Sequence, residues 1–265
     1  MKRKIVTVCL AAVLVIIAVA GASLAYLTDT DERTNTFTVG DVNIELIEQR
    51  KVKGEDGLKE YGEGSYTLKP GKSNDGNAVS KIVTVKNNGT EDAYVWVELR
   101  IPAYLVSNEY KAEPHTNESK NALHWNSYGC FNVEYNSGNY WRLAISDGIV
   151  KEDHKVTDAN MVAVEDGLWY DYEYVGTEDD GNTVVIRTKM RNVLPAGKTS
   201  LPALAQVYMD WRVTKTADGN KFQLPDGTEI PKDASWKIDV RAYAIQADGI
   251  DGIDAAIAAF ADNGK

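Results

Sequence analysis

An alternation of apolar and polar residues with a period of two is the feature that most constrains the fold. From residue 93 to residue 101 every odd position is apolar, whereas the even positions carry amphipathic or charged side chains. Similar alternation covers residues 207–214 and 236–244, and weaker versions cover residues 34–39, 42–47, 82–86, 131–135, 168–175 and 183–188. A period of two is typical of β-strands with one buried face, because successive side chains point to opposite sides of a sheet.

Turn sequences separate these predicted strands, among them Asn87-Asn88-Gly89 and Asp180-Gly181-Asn182. Strands with one apolar face need a second sheet to cover that face. The pattern therefore predicts an all-β, mainly antiparallel, jelly-roll-like sandwich of two sheets, forming a single domain over residues 26–265. The polar stretches 107–125 and 147–165 show no periodicity, and we interpret them as loop excursions filled by short helical or irregular pieces.

One helix is predicted, at the C-terminus over residues 248–262. Apolar residues follow each other there at the spacing i, i+4 and i+7: Ile253, Ile257 and Phe260. Asp251 or Asp254 could cap the first turn, where a negative charge also suits the helix dipole. We expect the apolar side of this helix to pack on the sandwich.

The first 25 residues have the pattern of a secretory signal peptide. Three basic residues at positions 2–4 precede a run that is apolar from residue 5 to residue 20 except for one threonine, and Ser23 and Ala25 are small. This predicts cleavage between Ala25 and Tyr26, export to the cell surface or the extracellular matrix, and no permanent membrane anchor. A retained N-terminal anchor is the alternative, although the apolar run is short for a complete span.

Charge and cysteine content exclude several classes of protein. The chain has 29 basic and 39 acidic residues, and loss of the signal peptide leaves 26 basic and 39 acidic residues, a net charge of −13. Such a surface cannot neutralise a run of phosphates, so no nucleic-acid partner is expected. Of the two cysteines only Cys130 remains after cleavage, so an internal disulfide is impossible, and a buried thiol or a pairing between chains is left.

No catalytic residue is predicted. The mature chain lacks a Gly-x-Ser-x-Gly nucleophile motif, a phosphate-binding glycine loop and a histidine pair spaced for zinc on one helix. His115 and His124 are candidates for a shared zinc site, but solvated loop histidines are the simpler interpretation. The acidic clusters at 29–32 and 178–180 and the aspartates at 248, 251 and 254 could recruit calcium, although charge runs are usually solvated. No cofactor is therefore expected, with zinc and calcium as alternatives.

Three segments of the mature chain carry a family resemblance. Residues 21–46 contain the junction Leu-Ala-Tyr-Leu-Thr-Asp followed by Asn-Thr-Phe-Thr-Val-Gly, residues 68–72 read Leu-Lys-Pro-Gly-Lys before an Asn-Asn-Gly turn at 87–89, and residues 240–249 read Val-Arg-Ala-Tyr-Ala-Ile-Gln-Ala-Asp-Gly. The chain thus resembles the TasA/camelysin family, exported proteins of Gram-positive bacteria that a SipW-type signal peptidase processes. The resemblance implies a jelly-roll-like sandwich and a secreted protein that polymerises into fibres of the biofilm matrix.

The resemblance also implies how such fibres form. The N-terminal segment freed by the peptidase, residues 26–40, would add as a donor strand to the next copy, with Tyr26, Leu27, Phe37 and Val39 as its apolar side chains. A head-to-tail contact of this kind does not close on itself and generates filaments. The partners implied are a second copy, the SipW-type peptidase and an accessory matrix protein. The alternative is that residues 34–39 form an edge strand of their own sheet.

Two other functions stay open at this stage. Part of the family is known for the metalloendopeptidase activity of camelysin, but the residues that carry the resemblance include no metal-ligand constellation. A cell-surface adhesin is the second alternative, because 6 Trp and 14 Tyr provide aromatic faces that could stack on glycans. We therefore predict a non-enzymatic matrix protein, with a metallopeptidase and an adhesin as alternatives.

Overall fold

The computed structural model describes residues 28–31, 42–51, 58–62, 68–71, 77–113, 120–126, 159–163, 166–224 and 226–263, and for residues 28–31, 51 and 263 the backbone alone. Several predicted features lie outside these residues. They are the signal peptide with its Ala25–Tyr26 bond, the strands at 34–39 and 131–135, and the residues Leu27, Phe37, Val39, His115 and Cys130.

The first sheet has five antiparallel strands in the order β1, β14, β6, β9, β8. Their bounds are Thr28–Asp31 for β1, Asp239–Gln246 for β14, Ala93–Pro102 for β6, Thr183–Lys189 for β9 and Glu173–Glu178 for β8. The longest strand, β6, lies at the centre of this sheet. A bulge between Tyr174 and Gly176 interrupts the pairing of β8 with β9 at the far edge.

The second sheet has six strands, in the order β3, β2, β5, β10, β4, with β7 also paired to β10. Their bounds are Leu58–Glu60 for β3, Ile44–Lys51 for β2, Val79–Asn87 for β5, Leu204–Asp210 for β10, Pro70–Gly71 for β4 and Leu123–Asn126 for β7. The two-residue strand β4 is parallel to β10, and the other pairs are antiparallel. Between consecutive strands of the two larger sheets, the chain changes sheet from β1 to β2, from β5 to β6, from β6 to β7, from β7 to β8 and from β9 to β10.

A small third sheet and two helices complete the described elements. The sheet contains β11 at Thr214–Lys215, β12 at Lys221–Gln223 and β13 at Glu229–Pro231. Helix α1 spans Asn108–Ala112, and helix α2 spans Ile253–Asn263. Single turns of 3-10 helix lie at Ala103–Leu105 and Asp179–Gly181.

The core lies between the two larger sheets. The five odd positions of β6, Ala93 to Ile101, are all completely buried and pack in one cluster with Val83, Val85 and Leu204 of the second sheet. The predicted all-β, jelly-roll-like sandwich with a short C-terminal helix is therefore confirmed. The excursion predicted at 107–125 contains α1 and also β7, a strand that the sequence pattern did not indicate.

The prediction that β6 has only one buried face is wrong. Three side chains on its even face are also nearly inaccessible: Trp96 is 2% exposed, Glu98 6% and Arg100 7%. Helix α2 covers the first of them, and ion pairs with neighbouring strands surround the other two. Both faces of the five-stranded sheet are therefore covered along β6.

Some predicted boundaries are corrected. The strand expected at 207–214 ends at Asp210, where the Asp210 carboxylate accepts a hydrogen bond from the Arg212 backbone N–H at 2.8 Å and turns the chain. Trp211 consequently lies in that turn, 58% exposed, instead of on the core face. The strand expected at 236–244 begins at Asp239 and runs to Gln246, and the strand expected at 168–175 begins only at Glu173.

The C-terminal helix begins five residues later than the prediction of 248–262. Gly249 and Gly252 have φ angles of 75° and 89°, in the left-handed region that a glycine adopts without a steric penalty. The helical hydrogen bonds start with the Ala256 N–H donating to the Gly252 carbonyl, so Asp251 does not cap the helix. Asp254 lies in the first turn, as the prediction allowed.

Candidate assembly site at the edge of the five-stranded sheet

Strand β1, the described part of the predicted donor segment, lies at the edge of the chain's own sheet. Its backbone pairs antiparallel with β14, from Thr28 opposite Ile245 to Asp31 opposite Ala242. On its other side β14 pairs with β6 along eight positions, from Asp239 to Gln246. Among the described residues no strand pairs with the positions 239–241 of β14 on the β1 side. The described pairing thus uses half of this edge.

The composition of β14 explains why it can hold an edge strand and still belong to the core. Ala242 and Ala244 are completely buried, and as small residues they fit between the sheets next to the large side chains of β6. The side chains on the other face of β14, such as Arg241 and Tyr243, lie on the outer surface of the sandwich. Tyr243 is paired in register with Trp96 of β6.

An aromatic cluster fixes helix α2 over this outer face. The rings of Trp96 and Tyr243 are stacked, with centroids 5.5 Å apart and planes at 6°. Phe260 of α2 meets both rings edge-on, at 5.1 Å from Trp96 and 5.5 Å from Tyr243. Edge-to-face pairs of this kind stabilise beyond their buried area. The helix therefore covers the sheet close to the end of β14.

A row of charged residues with alternating sign crosses the same face. The register places Arg241, Glu98, Arg187 and Glu173 opposite one another on the consecutive strands β14, β6, β9 and β8. Arg187 donates to the Glu98 carboxylate from Nη2 at 2.6 Å and from Nε at 3.0 Å. We call these four residues the charged row.

Arg100 lies beside the charged row and ties it to the end of β8. Its Nη2 is 3.1 Å from the Glu98 carboxylate, and its Nε donates to Glu178 at 2.9 Å. Burial opposes the positive charge of Arg100, but the hydrogen bonds to Glu178 and Tyr243 and the nearby Glu98 outweigh it and raise the pKa of the guanidinium. Its Nη1 is buried and has no hydrogen-bond partner.

The sequence pattern does not indicate this cluster. Two opposite charges two residues apart inside a strand, Glu98 and Arg100, were the available signal. An alternating strand normally places such charges in solvent, so their burial could be inferred only from the neighbouring strands and from helix α2. Burial of Tyr243 and the negative charge of Glu98 raise the pKa of the tyrosine hydroxyl, which therefore stays protonated.

The structure places His124, the described candidate for zinc binding, in a buried contact with the Asp210 carboxylate. The pairing of β7 with β10 sets it opposite Tyr208, on whose ring it stacks at 5.0 Å. Its Nε2 is 2.9 Å from Asp210 Oδ2, and the His124 side chain is only 7% exposed. The interpretation as a solvated loop histidine is therefore wrong for His124. Its proposed partner His115 lies outside the described residues.

Asp210 is shared between His124 and Arg212. The Arg212 guanidinium donates to both carboxylate oxygens, from Nε at 2.9 Å and from Nη2 at 2.8 Å. Burial works against the charge of Asp210, but the hydrogen bonds from Arg212 and His124 prevail and hold its pKa well below the ordinary range. The carboxylate is thus already balanced by a fixed guanidinium.

Three acidic residues of the predicted calcium-binding clusters make side-chain contacts within the chain. Glu178 accepts from Arg100, Asp179 from the Thr183 hydroxyl at 2.9 Å, and Asp254 from Lys189 at 3.0 Å. No three His, Cys, Asp or Glu side chains converge as metal ligands within the described parts of the chain. Over those same residues, neither helix is both long and apolar enough to cross a membrane.

The other predicted assembly residues, Ala25, Tyr26, Leu27, Phe37 and Val39, lie outside the described residues, so their pairing is not given by the structure. What the structure brings together is the backbone of β1, the edge of β14, the aromatic cluster and the charged row. Comparison with known proteins finds no family model that matches the chain and no curated protein that matches it.

Proposed function

We propose that the protein is a secreted, non-enzymatic subunit of the extracellular biofilm matrix, resembling TasA, that assembles into fibres by exchange of its N-terminal strand. The antiparallel pairing of β1 with the edge of β14 is the observation that supports this proposal most. The pairing consists of main-chain hydrogen bonds, which the β1 segment of a second copy can form equally well.

The chain length around β1 permits such an exchange. Twelve residues, 32–43, separate β1 from β2. At about 3.3 Å per extended residue they can span roughly 40 Å, the scale of a whole domain. In a monomer the same segment fills its own edge, and in a fibre each copy fills the edge of the next. Because donor and acceptor surfaces differ, the contact is head-to-tail and produces an open filament.

Export and assembly are coupled in this proposal. A SipW-type peptidase cleaves after Ala25 and releases Tyr26 together with the donor segment, which until then is tethered to the signal peptide. The net charge of −13 in the mature chain keeps copies soluble before assembly, since like-charged surfaces repel. An accessory matrix protein is a further partner in this proposal, and neither nucleic acid nor a metal has a role.

A cysteine pair at the β1–β14 contact tests the exchange directly. Asp29 and Ala244 are opposite one another, so Asp29→Cys and Ala244→Cys place two thiols at disulfide distance in a Cys130→Ser background. The mature protein is assembled under reducing conditions, oxidised, and run on a non-reducing gel. We expect a ladder of covalent multimers from the double-cysteine protein and monomers from the Asp29→Cys protein with Ala244 retained.

The complementary measurement oxidises the double-cysteine protein before assembly instead of after it. Oxidation before assembly should lock β1 onto its own sheet and prevent filaments in electron micrographs, and reduction should restore them. Deletion of residues 26–40 should also abolish filaments. Oxidised assemblies that contain only intramolecular disulfides, or filaments that persist with the locked strand, would show that the strand is not exchanged.

A further inference from the structure

Strand β1 contributes two acidic positions to the face of its sheet that packs against the core. The register sets Asp29 opposite Ala244 and Asp31 opposite Ala242. Directly opposite residues of an antiparallel pair share a face of the sheet, and both alanines are completely buried in the core cluster. Residues of a type that is normally solvated therefore occupy the edge positions of an apolar face.

The neighbours of these two edge positions are apolar. Ala244 is paired in register with Val95 of β6, and Ala242 is paired with Val97. Both valines are completely buried. On the opposite sheet, β2 comes within 8 Å of β1, measured between Cα atoms, and Ile44 of β2 is buried in the same core cluster. An ionised carboxylate beside such a layer costs free energy, because part of its hydration is lost.

The two threonines of β1 share the other face of the sheet. Thr30 is opposite Tyr243 of the aromatic cluster, and Thr28 is opposite the next residue on that face, Ile245. Threonine suits a strand, because its β-branched side chain packs well on a pleated surface. A slip of one residue would exchange the two faces, but the described register keeps the aspartate positions on the core side. The side-chain pattern of β1 thus opposes its own backbone pairing.

We propose that β1 opens from β14 while the rest of the sandwich stays folded, and that Asp29 and Asp31 make the free energy of this opening small. Charged residues at inward positions are one of the features that weaken pairing at a sheet edge. Strand β1 has four residues and, among the described strands, pairs on one side only, so the unit that opens is small. The opening itself is a property of the monomer, and its use in strand exchange rests on the proposed function.

Native-state hydrogen exchange of the mature monomer measures this opening. We expect the hydrogen-bonded amides of β1 to exchange more than about a hundredfold faster than those of the central strand β6. Their exchange should depend little on low concentrations of urea, because a local opening exposes little surface. Two outcomes would overturn the proposal. Protection of β1 equal to that of β6 leaves no separate opening, and a complete lack of protection leaves no closed state.

Two double variants separate the core-side positions from the rest of β1. Asp29→Val/Asp31→Val places apolar residues on the core face and should raise the protection of the β1 amides about tenfold or more. Thr28→Val/Thr30→Val is the matched control, because it puts two valines into the same strand on the other face, and it should change protection less than about threefold. Asp29→Asn/Asp31→Asn removes the charges alone and should give an intermediate increase. Equal effects of the two valine variants would show that strand propensity, and not the face, controls the opening.

The rate of assembly is the second measurement, and its failure is distinguishable from that of the first. Strand exchange breaks and re-forms the same contact, so Asp29→Val/Asp31→Val should leave the final amount of filament unchanged. The rate should fall about tenfold, in proportion to the smaller population of the open state. Filaments that form from this variant at the wild-type rate would contradict the link between opening and exchange. A wild-type protein that never forms filaments would refute the proposed function, whereas the hydrogen-exchange result would still decide whether β1 opens.

Discussion

Replacing Glu98 with glutamine tests whether the charged cluster on the outer face stabilises the sheet. The carboxylate is 7% exposed, and it accepts two hydrogen bonds from Arg187 and lies 3.1 Å from Arg100. Glutamine keeps the size and one acceptor oxygen but removes the negative charge between the two guanidinium groups. Glu98→Gln therefore leaves two buried positive charges with one fewer counter-charge.

The loss of stability in Glu98→Gln depends on how deeply the partners of Glu98 are buried. Removing one member of a buried ion pair typically costs about 3–5 kcal/mol. Arg100 keeps its hydrogen bond to Glu178, and Arg187 keeps a contact with Glu173 and is 18% exposed, which reduces the penalty. We therefore expect Glu98→Gln to lower the free energy of unfolding by about 3 kcal/mol, toward the lower end of that range.

Glu173→Gln is the matched control, since it removes the same charge from the outer end of the charged row. Its side chain is 39% exposed, so solvent screens the interaction and the expected loss is below about 1 kcal/mol. Urea unfolding followed by tryptophan fluorescence measures both variants, with equal slopes required for the comparison. Equal and small losses in the two variants would refute the argument that the cluster is electrostatically coupled through Glu98.

Three further predictions concern other parts of the molecule. The pKa of Asp210 is lowered in the folded state. Its stabilising contribution is therefore complete above the unfolded pKa near 3.9 and is lost as the pH falls toward the folded value. Asp210→Asn should flatten the decline of the unfolding free energy below about pH 4, as measured by urea titrations from pH 2.5 to 7. Gly252→Ala should lower the melting temperature by a few degrees, because alanine at a φ of 89° costs about 1 kcal/mol of stability. The control Gly62→Ala should change the melting temperature little, because Gly62 has an ordinary φ and open space where the Cβ would lie. Treatment with a chelator should leave the melting temperature and the absence of casein cleavage unchanged; chelator-sensitive cleavage would instead support a metallopeptidase.

The central strands were predictable from sequence because the alternation of their side chains between the two faces of the sheet determines which residues are buried. β6 and β9 lie between other strands, so the alternation of apolar residues reports directly which side faces the core, and the prediction of residues 183–188 differs from β9 by a single residue. The strand at Asp239–Gln246 was found with the correct faces but shifted limits. Its apolar positions before Asp239 pack against the core without belonging to a strand, as Trp236 and Ile238 show.

Elements fixed by contacts distant in sequence could not be predicted in this way. The strand β7 is four residues long, and its partner β10 lies about 80 residues further along the chain. The burial of His124 depends on Asp210 and Arg212. The polar sequence around the histidine gives no indication that these two residues contact it. For the same reason, the alternation in β6 predicts that Glu98 and Arg100 face solvent. The residues that bury them come from β8 and β9.

The register of β14 defines how much of the sheet edge a donor strand can occupy. β14 ends at Gln246, and the chain turns immediately afterwards toward helix α2, whose aromatic contacts with Trp96 fix that end of the edge. The acceptor edge therefore has eight positions, and the described register pairs four of them with residues 28–31. A strand supplied by a second copy would need the same four positions, so the backbone pairing from Ala242 to Ile245 is the contact that the proposed exchange has to break and form again.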